Sequence, residues 1–204
     1  MKKLLLGALL LLSTLSFSQE TIGTYQMSYL TSSEPYSVQA SEPKNGNFSW
    51  YIMCAGETSS TQDSFIIVKN DKMSDFINYI NFLEDVYIKW SDVATQNKLT
   101  SKTFKEITDT PSNDVSAGWK YGSYHFDYSV TLSARFIVLD GGAKVLVIDT
   151  GSLQASDNQY IDSKGNMLVF SNKLEIENFK ALLLEKTVLD FYTAKNKQKD
   201  LFKN

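Results

Sequence analysis

Ser123, His125 and Asp127 occupy alternate positions along Ser123-Tyr124-His125-Phe126-Asp127-Tyr128, so an extended chain places all three on one face. Serine, histidine and aspartate are the residue types of a hydrolytic relay, in which the imidazole takes the hydroxyl proton and the acid orients the imidazole. The spacing works against that chemistry. Neighbours at i and i+2 have side chains rooted roughly 7 Å apart, whereas a relay needs hydrogen-bond contact. The chain's single histidine is therefore expected on the surface of an aromatic strand. One histidine and one cysteine, Cys54, would leave at least two zinc ligands to carboxylates, which is a poor donor set. Asp140, Asp157 and Asp162 lie near turns and offer oxygen donors for calcium, but not at EF-hand spacing. No metal and no cofactor is expected.

The segment Leu146-Val147-Ile148-Asp149-Thr150-Gly151-Ser152 carries the sharpest local pattern, an apolar run that ends in Asp-Thr-Gly-Ser. It resembles the active-site signature of aspartic proteases. That resemblance implies that Asp149 is a catalytic acid/base sharing a water with a second carboxylate about 3 Å away, so that only one of the two ionises. The other Asp-Thr pair, Asp109-Thr110, is followed by Pro111 where the signature has glycine. The second carboxylate would then come from another copy of the chain, as in the retroviral type, yet much of the span after Asp149 reads as helix rather than flap and closing loop. The same residues also describe a strand that ends in a glycine turn.

Aromatic density is a third lead. Trp119, Tyr121, Tyr124, Phe126 and Tyr128 fall within ten residues, and Trp50 and Tyr51 echo them earlier. Such rings could stack on sugars, with Trp119 and Tyr121 as the platform, or anchor a protein partner. They also fill sheet cores, because strands are enriched in aromatics for packing reasons alone.

Composition narrows the setting. Lys2 and Lys3, the apolar stretch Leu4 to Leu12 and the hydroxyl-rich Ser13 to Ser18 form the three parts of an export signal, with small Ser16 and Ser18 placed for cleavage before Gln19. The apolar run is too short to anchor in a membrane, which takes about 20 apolar residues. With no cysteine at the cleavage point, a lipid anchor is not expected. The expected product is an exported chain, periplasmic or secreted, spanning 19–204. Loss of Lys2 and Lys3 takes the basic residues from 20 to 18 against 23 acidic ones, and the net charge from −3 to −5. That balance, with Arg135 the one arginine, argues against nucleic-acid binding. A lone cysteine closes no disulfide within the chain, so packing alone must stabilise it.

These residues need elements to hold them. Asn45-Gly46, Asp140-Gly141-Gly142 and Asp162-Ser163-Lys164-Gly165-Asn166 mark three hairpin turns, too short for parallel crossovers. From Val130 to Leu139, Val130, Leu132, Ala134, Phe136 and Val138 alternate with Thr131, Ser133 and Arg135, which predicts a strand with one core face. A helix is predicted from about Lys72 to Gln96, capped by Asn70 or Asp71, with the stripe Met73, Phe76, Ile77, Ile80, Leu83, Tyr87, Trp90 and Ala94. A second apolar set, Tyr79, Phe82, Val86 and Val93, calls for a second neighbour, either within the fold or in a homodimer. A further helix starts near Lys173, where Asn172 and Glu175 have capping-box spacing, and carries Ile176, Phe179, Leu182, Leu183 and Leu189.

The fold class expected is α+β: a mainly antiparallel sheet of hairpins with two long amphipathic helices packed on it. Ile66-Ile67-Val68-Lys69-Asn70 and Leu168-Val169-Phe170-Ser171-Asn172 both lead a strand into a helix. They admit a reading as two sheet-then-helix halves, 19–98 and 99–204, of one domain. The function expected is a non-enzymatic binding or interaction module with a protein or glycan partner, acting through a sheet face or the surplus apolar side of the first helix. The alternative is a hydrolase built on Asp149.

Overall fold

The structure is a computed structural model that describes residues 19–30, 34–56 and 59–201. The expected export signal, 1–18, lies outside the described residues.

The chain opens with β1 (Gln19–Tyr25), β2 (Tyr36–Ser41), β3 (Ser49–Gly56) and β4 (Ser59–Lys69), then passes through a 3-10 turn, Asn70–Lys72, into α1 (Met73–Gln96). It continues with β5 (Thr103–Glu106), β6 (Asp114–Tyr121), β7 (Ser123–Thr131), β8 (Ser133–Val138) and β9 (Lys144–Asp149). The short β10 (Leu153–Gln154) and β11 (Asp162–Ser163) precede β12 (Asn166–Phe170), α2 (Lys173–Leu182) and α3 (Glu185–Asp200). Ten strands form one curled, wholly antiparallel half-barrel in the order β5-β8-β9-β12-β3-β4-β6-β7, with β2 on β3 and β1 on β2. The α+β class and the antiparallel sheet are as the sequence predicts.

Local chemistry explains most of the joints. Asn45 and Gly46 have φ of 53° and 77°, the pair of positive values a tight hairpin demands, and Lys44 and Asn47 exchange backbone hydrogen bonds across them. The predicted run from Val130 to Leu139 is broken at Leu132, where the chain leaves its pairing with β6 and joins β9. Asn113 stands in for a strand at that corner: its side chain accepts from Leu132 N (2.9 Å) and donates to Leu132 O (3.1 Å). The inward set Val130, Leu132, Ala134, Phe136 and Val138 is buried throughout.

Three expectations need correction. The third turn signal does not build a hairpin: β11 pairs back with β10, and β12 pairs with β9 and the end of β3. Asn166 is the reason this register holds, since its buried amide donates to the carbonyls of both Phe65 and Gly118, tying β12 to β4 and β6. Neither Asn70 nor Asp71 caps α1, because both belong to the 3-10 turn and Asn70 donates to Gly46 O instead. The second long helix is two: Leu184 is extended, and the chain turns there so that α3 can lie on β1 and β2, with Tyr192 donating to Ala40 O at 2.7 Å and Lys195 paired with Glu20. The start of α2 is as predicted, with Asn172 accepting from Glu175 N at 3.0 Å. The buried Glu175 carboxylate reaches back to Ser171 N at 2.7 Å and also binds Ser28.

The core lies between the sheet and the α1–α2 layer. Trp50, Ile52, Ile66, Leu146, Ile148 and Leu168 face Phe76, Ile80, Leu83, Ile176 and Phe179. Glu84 of α1 and Lys180 of α2 form an ion pair at the helix contact. The second apolar set of α1 grades outward: Tyr79 is buried, Phe82 and Val86 are half-buried, and Val93 is exposed. A smaller cluster, Tyr51, Met53 and Phe65 with Ile67 and Phe126, occupies the opposite sheet face.

Burial of phenols gives the fold a pH limit. The hydroxyls of Tyr25, Tyr51, Tyr79 and Tyr87 are all pushed above the usual tyrosine range, chiefly by burial. Tyr192 is pushed up to about 12 by burial and then by Glu20 and Glu42. A group raised in the folded state contributes its full stability below the unfolded value of 10 and loses it as pH rises through about 12. The urea midpoint is expected to hold up to pH 10 and to fall between pH 10 and 12. A flat profile across that window would show that these phenols ionise without unfolding.

Candidate functional site

A markedly apolar cleft forms among the described residues where α1 ends. The helix stops at Gln96 because Lys98 takes a left-handed conformation, φ 51°, which returns the chain beneath the last turn. Asn97 N bonds to Val93 O, and Leu99 N bonds to Ala94 O, both at 3.0 Å. The chain is then fastened beside the β8–β9 turn, Lys102 N donating to Asp140 Oδ1 and Gly141 N to Thr100 O, each at 3.0 Å. From there it runs out as β5, the end strand of the sheet, paired only with β8.

Between helix and sheet this leaves a groove of about 260 Å³. Phe136 and Val138 of β8 form its floor; Trp90, Val93, Ala94 and Leu99 form one wall, and Thr103, Phe104 and Lys105 the other. The strand register puts Lys105 opposite Phe136, so Lys105 lies on the groove side of β5. Trp90 meets Phe136 edge to face at 5.8 Å, which holds the indole upright. Lys105 Nζ sits 4.3 Å from the centroid of the same indole, a cation–π contact. Lys89 is exposed at the rim. Clefts of 380 and 400 Å³ elsewhere are lined by charges of both signs and define no ligand class.

The residues singled out in the sequence are scattered. Asp149 ends β9, where its Oδ1 accepts from Ser133 Oγ (3.0 Å) and Gly151 N (3.1 Å) and its Oδ2 lies 3.2 Å from the Arg135 guanidinium. Oδ2 has the cation near it but no well-aligned hydrogen bond, so the contact is electrostatic. The charged group beside Asp149 is thus a guanidinium, whereas a protease dyad needs a second carboxylate there. Trp119 and Tyr121 are separated by environment: Trp119 is 4% exposed, beneath the sheet, and Tyr121 is 71% exposed past the end of the core. Tyr124 and Tyr128 are also exposed, and Tyr128 lies parallel to Phe126 at 6.0 Å.

His125 departs from expectation. It is buried, not on the surface, and Ser123 Oγ does reach its Nε2, at 3.3 Å. The acid facing Nδ1 is Asp157, at 3.7 Å, rather than Asp127, whose carboxylate accepts from Gln154 N and Ser129 N. Strand spacing alone misses this because the β10–β11 connection folds back over β7, Ser156 N donating to Phe126 O at 2.8 Å. Nε2 is equally close to the Tyr121 carbonyl, which can only accept. A nitrogen that donates there has no lone pair with which to take the serine proton. Among the described residues, no group of three His, Cys, Asp or Glu side chains gathers as a metal site. Cys54 is fully buried, and burial pushes its thiol far above the usual range.

Fold and groove together define an α+β protein with a curled antiparallel sheet and, among the described residues, an apolar cleft beside its end strand β5. Compared with known protein families, curated proteins and solved structures, the chain matches none.

Proposed function

We propose that this is an exported, non-enzymatic binding protein that holds an apolar ligand in the groove between the end of α1 and β5. The observation that carries the reading is the groove itself: four side chains of the helix end and two of the sheet floor line a cleft slightly smaller than ordinary ligand pockets, with almost no polar surface inside. Trp90 of the main apolar stripe of α1 and Val93 of its second apolar set are among the walls, with Trp90 half-buried and Val93 exposed. Export is supported by the signal-like segment at 1–18, with its basic start, apolar stretch and small residues before Gln19. No helix among the described residues is long and apolar enough to cross a membrane.

The neutral fluorophore 1-N-phenylnaphthylamine tests the groove. It is expected to brighten on binding the protein, and Val93→Asp is expected to weaken binding at least about tenfold, because a carboxylate would be desolvated against the ligand. Val93 is 48% exposed, so the melting temperature of the variant should stay close to that of the parent. Equal binding by both proteins would remove the groove from consideration.

A further inference from the structure

We infer that the groove takes a free amphipathic carboxylate, an apolar chain of about nine carbons with a single anionic end. This rests on the groove being the binding site and adds the chemistry of what fills it. Size comes from the volume: 260 Å³ holds about nine groups of ~30 Å³, the share of one water in the liquid and close to that of a methylene. The interior offers such a chain only apolar contact, from Trp90, Val93, Leu99, Phe136 and Val138.

Charge supplies the second half. The chain as a whole is acidic, with net charge −3, yet the two charged side chains that line this groove are both lysines, Lys89 and Lys105. Among the described residues neither lysine has a carboxylate within ion-pair distance, and no acidic side chain lines the groove. The Trp90 face takes one side of the Lys105 ammonium, which leaves N–H donors of that group free for an anion. An apolar floor that ends at two uncompensated ammonium groups matches a ligand that is apolar at one end and anionic at the other. A cationic chain end would meet like charge there, and a neutral one would gain nothing from it.

Calorimetric titration with decanoate and with decanol, matched in chain length and different in charge, tests the inference. Decanoate is expected to bind the parent protein more tightly than decanol does, with an affinity that falls as salt rises. The double variant Lys89→Gln/Lys105→Gln is expected to lose about 2- to 30-fold in decanoate affinity, the range for two partly exposed charge pairs, and to lose less for decanol, so that the preference for decanoate shrinks. Equal affinity for the two ligands, with no effect of the lysine changes, would overturn the carboxylate and leave the groove standing. Binding of neither, together with no response of the neutral fluorophore, would overturn both. A homodimer seen by light scattering and dissolved by Val93→Asp would show that a second copy of the chain occupies the groove, which also overturns the inference.

Discussion

Gly165→Ala is expected to lower stability by about 3 to 5 kcal/mol, combining the strain of a disallowed backbone conformation with overpacking against main chain. For a chain of this size that is a fall of roughly 6 to 20 °C in melting temperature, read by circular dichroism. Gly165 has φ of 114°, a region that side-chain-bearing residues rarely enter. A Cβ there would lie 2.1 Å from Gly151 O and 3.0 Å from Gly151 C, and backbone atoms cannot swing aside as a side chain would. The glycine also positions its neighbour, because Asn166 N bonds to Thr150 Oγ1 at 2.9 Å and the Asn166 amide spans to β4 and β6. Moving residue 165 therefore loosens the register of β12. A variant that melts within 2 °C of the parent, a change of about 1 kcal/mol or less, would mean that the 150–151 turn is not held where the structure has it.

The second large effect belongs to Phe179→Ala, with an expected loss of about 3 to 5 kcal/mol. Phe179 is wholly buried, and its ring lies 4.9 Å from that of Tyr25 and 5.3 Å from that of Phe170, so it joins α2 to β1 and β12 at one point. Truncation leaves a cavity walled by two other aromatic rings, which can collapse only if β1 shifts. Denaturant unfolding should show a lower midpoint with an unchanged slope. An effect below about 1 kcal/mol would indicate that β1 and α2 are not packed together in solution.

Features governed by neighbours in the chain are legible in the sequence. The Asn45-Gly46 turn, the alternation around Phe136, the period of α1 and the Asn172 cap are each decided within a few residues, and each is found where expected. The departures share a different cause. No proline or glycine announces the break at Leu184; it exists because Val188 and Tyr192 are drawn into the core from another direction. β12 takes β9 and β3 over its neighbour β11 through Asn166, whose partners are 48 and 101 residues away. Strand alternation puts His125 outside because the strand it occupies says nothing of the loop that covers it. The groove is half visible in the sequence. Trp90, Val93 and Ala94 belong to the apolar sides of the predicted helix, but Leu99 and Val138 join them only after Lys98 turns the chain back.

Cys54 lies at the centre of β3 with no surface at all, and among the described residues it is the one free thiol. Maturation of the chain accordingly needs no oxidant and no shuffling of cross-links, and the native molecule offers nothing for a redox partner to exchange with. Only a chain that has come apart displays its sulfur. A covalently linked pair recovered from a preparation would thus count molecules that had lost their structure, a built-in tally of damage rather than a form of the working protein.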